Sequence, residues 1–280
     1  MKIIALIENK SNGNLKAEHG LSVYIEYGGK KYLLDAGTTE AYMENAKKLG
    51  IDLGQVDMGV LSHNHFDHAG GFGRFFEMNP QASVYVRDKG SEPCYDKFGF
   101  ITHYIGIPKR ILKNYGHRFK YISGNYQLAD GVWLLPHTTS GLQARGKAAH
   151  LARKVDGKIV YDDFAHEQSL VFECAEGLVI FNSCSHGGVD NVIKEVQAVF
   201  PEKKILAMIG GFHLMGLLGA KTMSGKPEDV KALANRVKVL DVKEIHTCHC
   251  TGTPAFNILK EELGEQIHYF STGTILEYKE

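Results

Sequence analysis

The chain has 280 residues, with 32 Lys plus Arg against 32 Asp plus Glu, a formal net charge of zero. That balance argues against a surface built to hold nucleic acid or an anionic membrane, and no apolar run approaches the roughly 18 residues of a membrane span. The five cysteines are odd in number and form no disulfide framework, so a reducing, cytoplasmic setting is expected.

In chain order, β-branched and aromatic runs predict strands at 2–8, 21–27, 31–35, 56–62, 82–87, 132–136, 169–174, 178–182, 204–209, 244–248 and 267–270. The opening MKIIALIENK reads as the first of these and not as a signal peptide, because its apolar stretch is short and no small-residue cleavage site follows. Helical periodicity lies between the strands. Tyr42, Ala46 and Leu49 share one face, as do Val189, Val192, Ile193, Val196 and Phe200. A third helix over 226–240 starts with Pro227 in its first turn and carries Val230, Leu233, Val237 and Leu240 on one stripe. Thr253-Pro254 opens a last helix that Gly264 ends. One α/β domain over 1–280 accounts for the pattern.

Residues 88–128 break this alternation. A segment so long without periodicity reads as a lid or insertion, and its many rings argue against disorder. It concentrates Lys109, Arg110 and other bases beside Tyr95, Phe98, Tyr104 and Tyr121, which suits a cap that grips an anionic, ring-bearing molecule. The plainer reading is a cap with its own small core and bases facing solvent.

Chemistry concentrates where the predicted fourth strand ends, in His63-Asn64-His65-Phe66-Asp67-His68-Ala69-Gly70-Gly71. If the segment stays extended, His63, His65 and Asp67 converge while His68 points elsewhere. Imidazoles and a carboxylate at this spacing suit zinc first, with iron or manganese as alternatives. Four such ligands crowd a single ion. A split into His63/His65 and Asp67/His68 builds two metal sites, and the glycines that follow permit a tight turn.

LSHNHFDHAGG resembles the signature of the metallo-β-lactamase superfamily. The segments IENKSNGNLKAEHGLSVYIEYGGKKYLLDAG, EQSLVFE, CSHGGVDNVI, GGFHLMG and CHCTG extend the likeness to the 7,8-dihydropterin-6-methyl-4-(β-D-ribofuranosyl)-aminobenzene-5′-phosphate synthase-like family. The resemblance implies an αββα sandwich, two mixed sheets back to back with helices outside and two divalent metals at one edge. It implies His186 and His249 as further ligands, with His137 as the alternative to His186. Asp67 becomes a catalytic residue as well as a ligand, and His213 is either a ligand or a catalytic residue that supports a ligand or contacts substrate. Asp35, ending a buried strand, is expected to orient a ligating imidazole. The superfamily's usual bridging aspartate is missing, and Cys184 stands near its place. Cys184, Cys248 and Cys250 are expected as small apolar neighbours of the site.

These residues point to a hydrolase that uses a metal-activated water on a small, anionic, phosphorylated substrate. The family name gives the alternative, a transferase that joins a dihydropterin to a ribofuranosylaminobenzene phosphate. An RNA nuclease fits the neutral charge poorly, and a non-catalytic metal-binding protein is the blandest competitor. No nucleic-acid or membrane partner is expected; a homo-oligomer is compatible with the sequence.

Overall fold

Strand-forming runs in the first third of the chain pair almost as soon as they are made. In the computed structural model, which describes residues 1–280, β1 (Lys2–Ile7), β2 (Ser22–Tyr27) and β3 (Lys30–Leu34) form an antiparallel meander. Gly28 and Gly29, both at positive φ, make the two-residue turn of its second hairpin. The chain then crosses over through α1 (Ala41–Lys48) to β4 (Met58–Val60), and through α2 (Phe66–Ala69) and α3 (Phe72–Met78) to β5 (Ser83–Arg87). Both strands add in parallel.

The middle of the chain departs from expectation. β6 (Cys94–Phe98) and β7 (Ile101–Tyr104) form a hairpin outside the first sheet, but α4 (Lys109–Tyr115) and β8 (Phe119–Ile122) return to it, and β8 pairs in parallel with β5. β9 (Tyr126–Ala129) and β10 (Val132–Pro136) begin the second sheet. After α5 (Gln143–Ala148), β11 (Leu151–Val155) and β12 (Lys158–Tyr161) join the first hairpin in a separate four-stranded sheet, ordered β12-β11-β6-β7. Residues 88–128 are therefore not one insertion. Their second half is part of the sandwich, because Ile111 and Phe119 bury against the first sheet, and the cap draws its other half from 143–161.

The remaining elements complete the second sheet and add its helices and one separate small hairpin. They are β13 (Gln168–Cys174), β14 (Gly177–Phe181), α6 (Val189–Val199), β15 (Ile205–Gly210), the small hairpin β16 (Met215–Gly216) and β17 (Gly219–Met223), α7 (Pro227–Lys238), β18 (Val242–Thr247), α8 (Thr253–Leu263) and β19 (Ile267–Tyr269). β20 (Ile275–Glu277) crosses back beside β1. The two seven-stranded sheets run β20-β1-β2-β3-β4-β5-β8 and β19-β18-β15-β14-β13-β10-β9.

Side-chain alternation explains the layers. On β1, Ile3 and Ala5 face the second sheet while Ile4 and Leu6 face α1 and α3; on β14, Val179 and Phe181 face inward while Leu178 and Ile180 meet α6 and α7. Strands covered on both faces carry continuous apolar runs, as these do. The αββα sandwich expected from the sequence is the observed architecture. Its buried rings anchor it: truncating Phe172 to alanine between the sheets costs roughly 3–5 kcal/mol.

Candidate metal centre

The histidine-rich loop changes conformation halfway along. β4 ends at Val60, the chain bends at His63-Asn64, and α2 begins after an extended His65 (φ −88°, ψ 148°). Across this bend the His63 and His65 rings lie 4.6 Å apart; the helical turn then carries Asp67 and His68 to the adjoining position. The expectation that His68 points away is therefore corrected. Its ring lies 4.2 Å from that of His63, because Asp67 and His68 are helical, not extended. Gly70 and Gly71 have helical φ, so a turn is not what requires them. A Cβ at either would collide with the carbonyl oxygens of Thr38 or Ala36, and the close approach of that strand end is the reason for glycine.

Loops after β14 and β18 complete two groups. His186 stands 4.7 Å from His63 and 4.9 Å from His65, ring to ring, and the ligand-capable atoms of the three lie within 4.8 Å of one another. His249 Nε2 lies 3.2 Å from both Asp67 Oδ2 and His68 Nε2, and that His68 nitrogen is 3.7 Å from the same carboxylate oxygen. All six side chains are buried. His186 thus lies beside the His63/His65 pair and His249 beside Asp67 and His68, while His63 also forms a compact group with His68 and Cys184.

A partner on the remote ring nitrogen orients four of the five imidazoles. Asp35 Oδ2 accepts from His68 Nδ1 at 2.7 Å, Glu167 Oε2 from His186 Nδ1 at 2.5 Å and Asn9 Oδ1 from His249 Nδ1 at 3.0 Å. The Ser62 hydroxyl donates to Asp35, so its lone pair accepts His63 Nδ1–H at 2.8 Å. With the protons held there, the opposite nitrogens present lone pairs. The buried Nε2 atoms of His63 and His65 have no hydrogen-bond partner, and two Nε2 lone pairs with a carboxylate oxygen converge around His68. Such a cluster is repulsive by itself and suits divalent cations.

Charge follows the same pattern. Burial holds His63 and His65 well below the usual histidine range, which keeps them neutral as ligands must be. Burial also opposes charge on His68, but Asp67 and Asp35 raise it to about 9, so a proton competes with a cation for its lone pair. Burial works against an ionised Asp67 too, yet His68 and His19 keep it well below the usual carboxylate range.

His186 and His137 differ in their partners. His137 donates from both ring nitrogens, to Glu167 at 2.7 Å and Glu195 at 2.8 Å, and has no lone pair to offer. Although burial lowers its pKa, these two carboxylates carry it to about 10. Asp35 takes the orienting position expected of it. His213 belongs to neither trio; its ring lies 4.4 Å from that of His186 on the pocket side. Sequence reasoning passed over Glu167, Asn9 and His19, whose Nε2 is 3.2 Å from Asp67 Oδ2. It also passed over His166, which accepts the Asn64 backbone N–H and pairs with Asp162 at 2.9 Å, tying the loop to the segment that follows the cap. One further signal is conformational. Asp35, Ser185, His213 and His249 all adopt positive φ, a strain that concentrates at functional sites.

A pocket of about 290 Å³ opens onto the cluster, lined by Asp67, His186, His213 and His249 together with Asp96, Ile105 and Leu151 from the cap region. It adjoins an outer recess of about 690 Å³ that shares His19, Asp96, Leu151, His213 and Met215. Neither is lined by a lysine or arginine. Lys109 and Arg110, expected at the substrate, are exposed on α4. Lys109 lies 5.1 Å from the Tyr104 ring and borders a separate depression with Glu92 and Lys154. The helix is turned by Ile111, which buries against the sheet and leaves its first residues outside the pocket.

The sequence profile described as the metallo-beta-lactamase superfamily matches residues 15–151. Over 99% of this chain and 97% of its own length, 7,8-dihydropterin-6-methyl-4-(beta-D-ribofuranosyl)-aminobenzene-5'-phosphate synthase of Methanocaldococcus jannaschii is 30% identical. This chain belongs to the metallo-β-lactamase superfamily. Among solved structures, Tm1679, described as a metal-dependent hydrolase of the beta-lactamase superfamily, superposes over all of both chains with a TM-score of 0.83 and 28% identity. A diphosphatase from the PhnP family shares the superfamily fold at a TM-score of 0.53 and 15% identity, covering 99% of this chain and 98% of its own. The superfamily fold usually binds divalent metals, and both trios lie in its strand-end loops. No helix of this chain is long and apolar enough to cross a membrane.

Proposed function

We propose that this chain is a metal-dependent hydrolase acting in the cytoplasm on a small, anionic, phosphorylated molecule. His63, His65 and His186 would hold one divalent cation and Asp67, His68 and His249 a second. The observation that carries the reading is the clustering of two buried donor trios behind one pocket, which His65, Asp67, His186 and His249 line, with His63, His68, His186 and His249 each oriented from behind. Nitrogen and carboxylate donors of this kind favour zinc, with iron or manganese as alternatives. When bound, such ions supply an acidified water and Lewis-acid polarisation of a substrate oxygen.

The chain's own residues do the rest. Asp67 faces the pocket with one carboxylate oxygen shared among His19, His68 and His249, so its other oxygen is available to accept a proton of the attacking water. His213 flanks the pocket beside His186 and is placed to donate to a substrate oxygen or leaving group. The cap excludes bulk water with Ile105 and Leu151. The absence of Lys and Arg from the lining leaves the cations to attract the reacting group and offers nothing to a nucleic-acid backbone.

A second reading is favoured by the full-length similarity to the Methanocaldococcus synthase: a transferase that joins a dihydropterin to a ribofuranosylaminobenzene phosphate. Metal-loaded protein should be assayed against phosphomonoesters, phosphodiesters and lactones, and in parallel for that coupling. Turnover of an ester or lactone that is lost in Asp67→Asn supports the hydrolase. Coupling without hydrolysis replaces it with the transferase.

A further inference from the structure

We propose that Cys184 is a metal ligand, its thiolate shared between the two cations. The proposal rests on reading the two trios as metal sites and adds a soft donor to their nitrogens and carboxylate. Cys184 is buried, and its Sγ lies 3.3 Å from His68 Nε2. It forms one compact group with His63 and His68, which belong to different trios, and a second with His249. A sulfur so placed reaches donors on both sides of the boundary between the two sites. The fully buried His63 Nε2, which has no hydrogen-bond partner, points into the same cluster.

The loop is built to hold this position. Asn182 Oδ1 accepts the Ser185 N–H at 2.7 Å, and Ser185 adopts positive φ, which turns the chain between Cys184 and His186. Neighbouring Cys250 is otherwise engaged. Its sulfur accepts the His213 N–H at 3.3 Å and faces the Cys184 carbonyl at 3.7 Å, and it groups with only His249 among the six donors. Coordination would release the Cys184 S–H proton to solvent, and the thiolate would supply the sulfur lone pairs. A thiolate in the set selects zinc, cobalt or iron over magnesium and manganese.

The test uses metal-free, reduced, full-length protein titrated with cobalt(II) alone and followed by absorption. Two cobalt ions should bind with a near-ultraviolet thiolate-to-cobalt charge-transfer band. Cys184→Asp and Cys184→Ser should lose that band, Cys184→Asp while still binding cobalt, and Cys250→Ser should keep it. Zinc-edge X-ray absorption of the unmutated protein gives the same answer without a variant, as a sulfur shell at about 2.3 Å. Cobalt bound without the band, a band that survives Cys184→Ser, or a band that disappears only in Cys250→Ser overturns the proposal and leaves the trios standing. Failure to bind cobalt removes both.

Discussion

Asp35 Oδ2 lies 2.7 Å from His68 Nδ1, and the same carboxylate accepts both the backbone N–H and the hydroxyl of Ser62. Because Ser62 in turn accepts from His63, one buried acid sets the tautomer of a histidine in each trio. In Asp35→Asn an amide NH₂ replaces one acceptor oxygen, and either His68 or Ser62 loses its partner. Metal affinity should fall about 10–100-fold, the range for loss of an orienting partner, with the far-ultraviolet spectrum unchanged. Chelator competition measures it. Undiminished affinity would mean that packing alone holds the rings.

His137 is protonated between two carboxylates, a buried charge network behind His186. Its folded pKa of about 10 lies above the ordinary histidine value, so its contribution to stability is full below about pH 6.5 and is lost as pH rises through 10. Burial opposes ionised Glu167 and Glu195, but His186 and His137 hold the first well below the usual range, and His137 holds the second below it. Their contribution is therefore present above about pH 4.5 and is lost on acidification. His137→Gln should cost roughly 3–5 kcal/mol at pH 7, and the difference from the unmutated protein should shrink at pH 10.5. Urea unfolding at the two pH values tests this. A gap that stays constant would argue that His137 is neutral in the fold.

The parts of this molecule that read clearly from sequence are those whose local pattern and buried role coincide. β1, β14 and α6 carry apolar runs or stripes because each is buried on one or both faces, and their boundaries fall within a few residues of those expected. β7, β12 and β17 carry mostly exposed or half-buried side chains and no alternation, so none was predicted as a strand and the cap was read only from the broken periodicity of 88–128, without its second half. Of the six proposed ligands, His63, His65, Asp67 and His68 were legible as one strand-end motif, whereas His186 and His249 were singled out by the family resemblance and their strand-end positions. Glu167 and Asn9 were not: a single acid or amide looks the same in sequence whether it faces solvent or stands 2.5–3.0 Å behind an imidazole. His137 was legible as a rival to His186 only because sequence cannot see Glu195 arriving from α6.

The proposed ligands come from loops after β4, β14 and β18, so bound ions would clip the first sheet to the second. Elemental analysis of unchelated, active protein should give two ions per chain. Stripping them should lower the melting temperature, since a ligand present at 100 times its Kd stabilises by about 2.7 kcal/mol. One ion or fewer in fully active protein would end the dinuclear reading, and an unchanged melting temperature would remove the clip.

The charge at the pocket mouth separates Asp96 from the bases of α4. Asp96 sits on β6 opposite Leu151 and His103 and lines both the inner pocket and the outer recess. Burial raises the pKa of its carboxyl; His103 and His213 pull it down, while Asp67 adds to the rise. An ionised Asp96 repels an anion approaching the cluster. Lys109 and Arg110 border no part of this route. Asp96→Asn should therefore lower KM for an anionic substrate on the order of fivefold, about 1 kcal/mol for one charge contact in a water-like medium, and leave a neutral ester unaffected. Lys109→Ala with Arg110→Ala should change neither substrate's kcat/KM nor the metal content. Steady-state kinetics on an anionic and neutral pair decides it. A KM that rises for the anion in the α4 double variant and stays put in Asp96→Asn would return substrate recognition to the bases of α4.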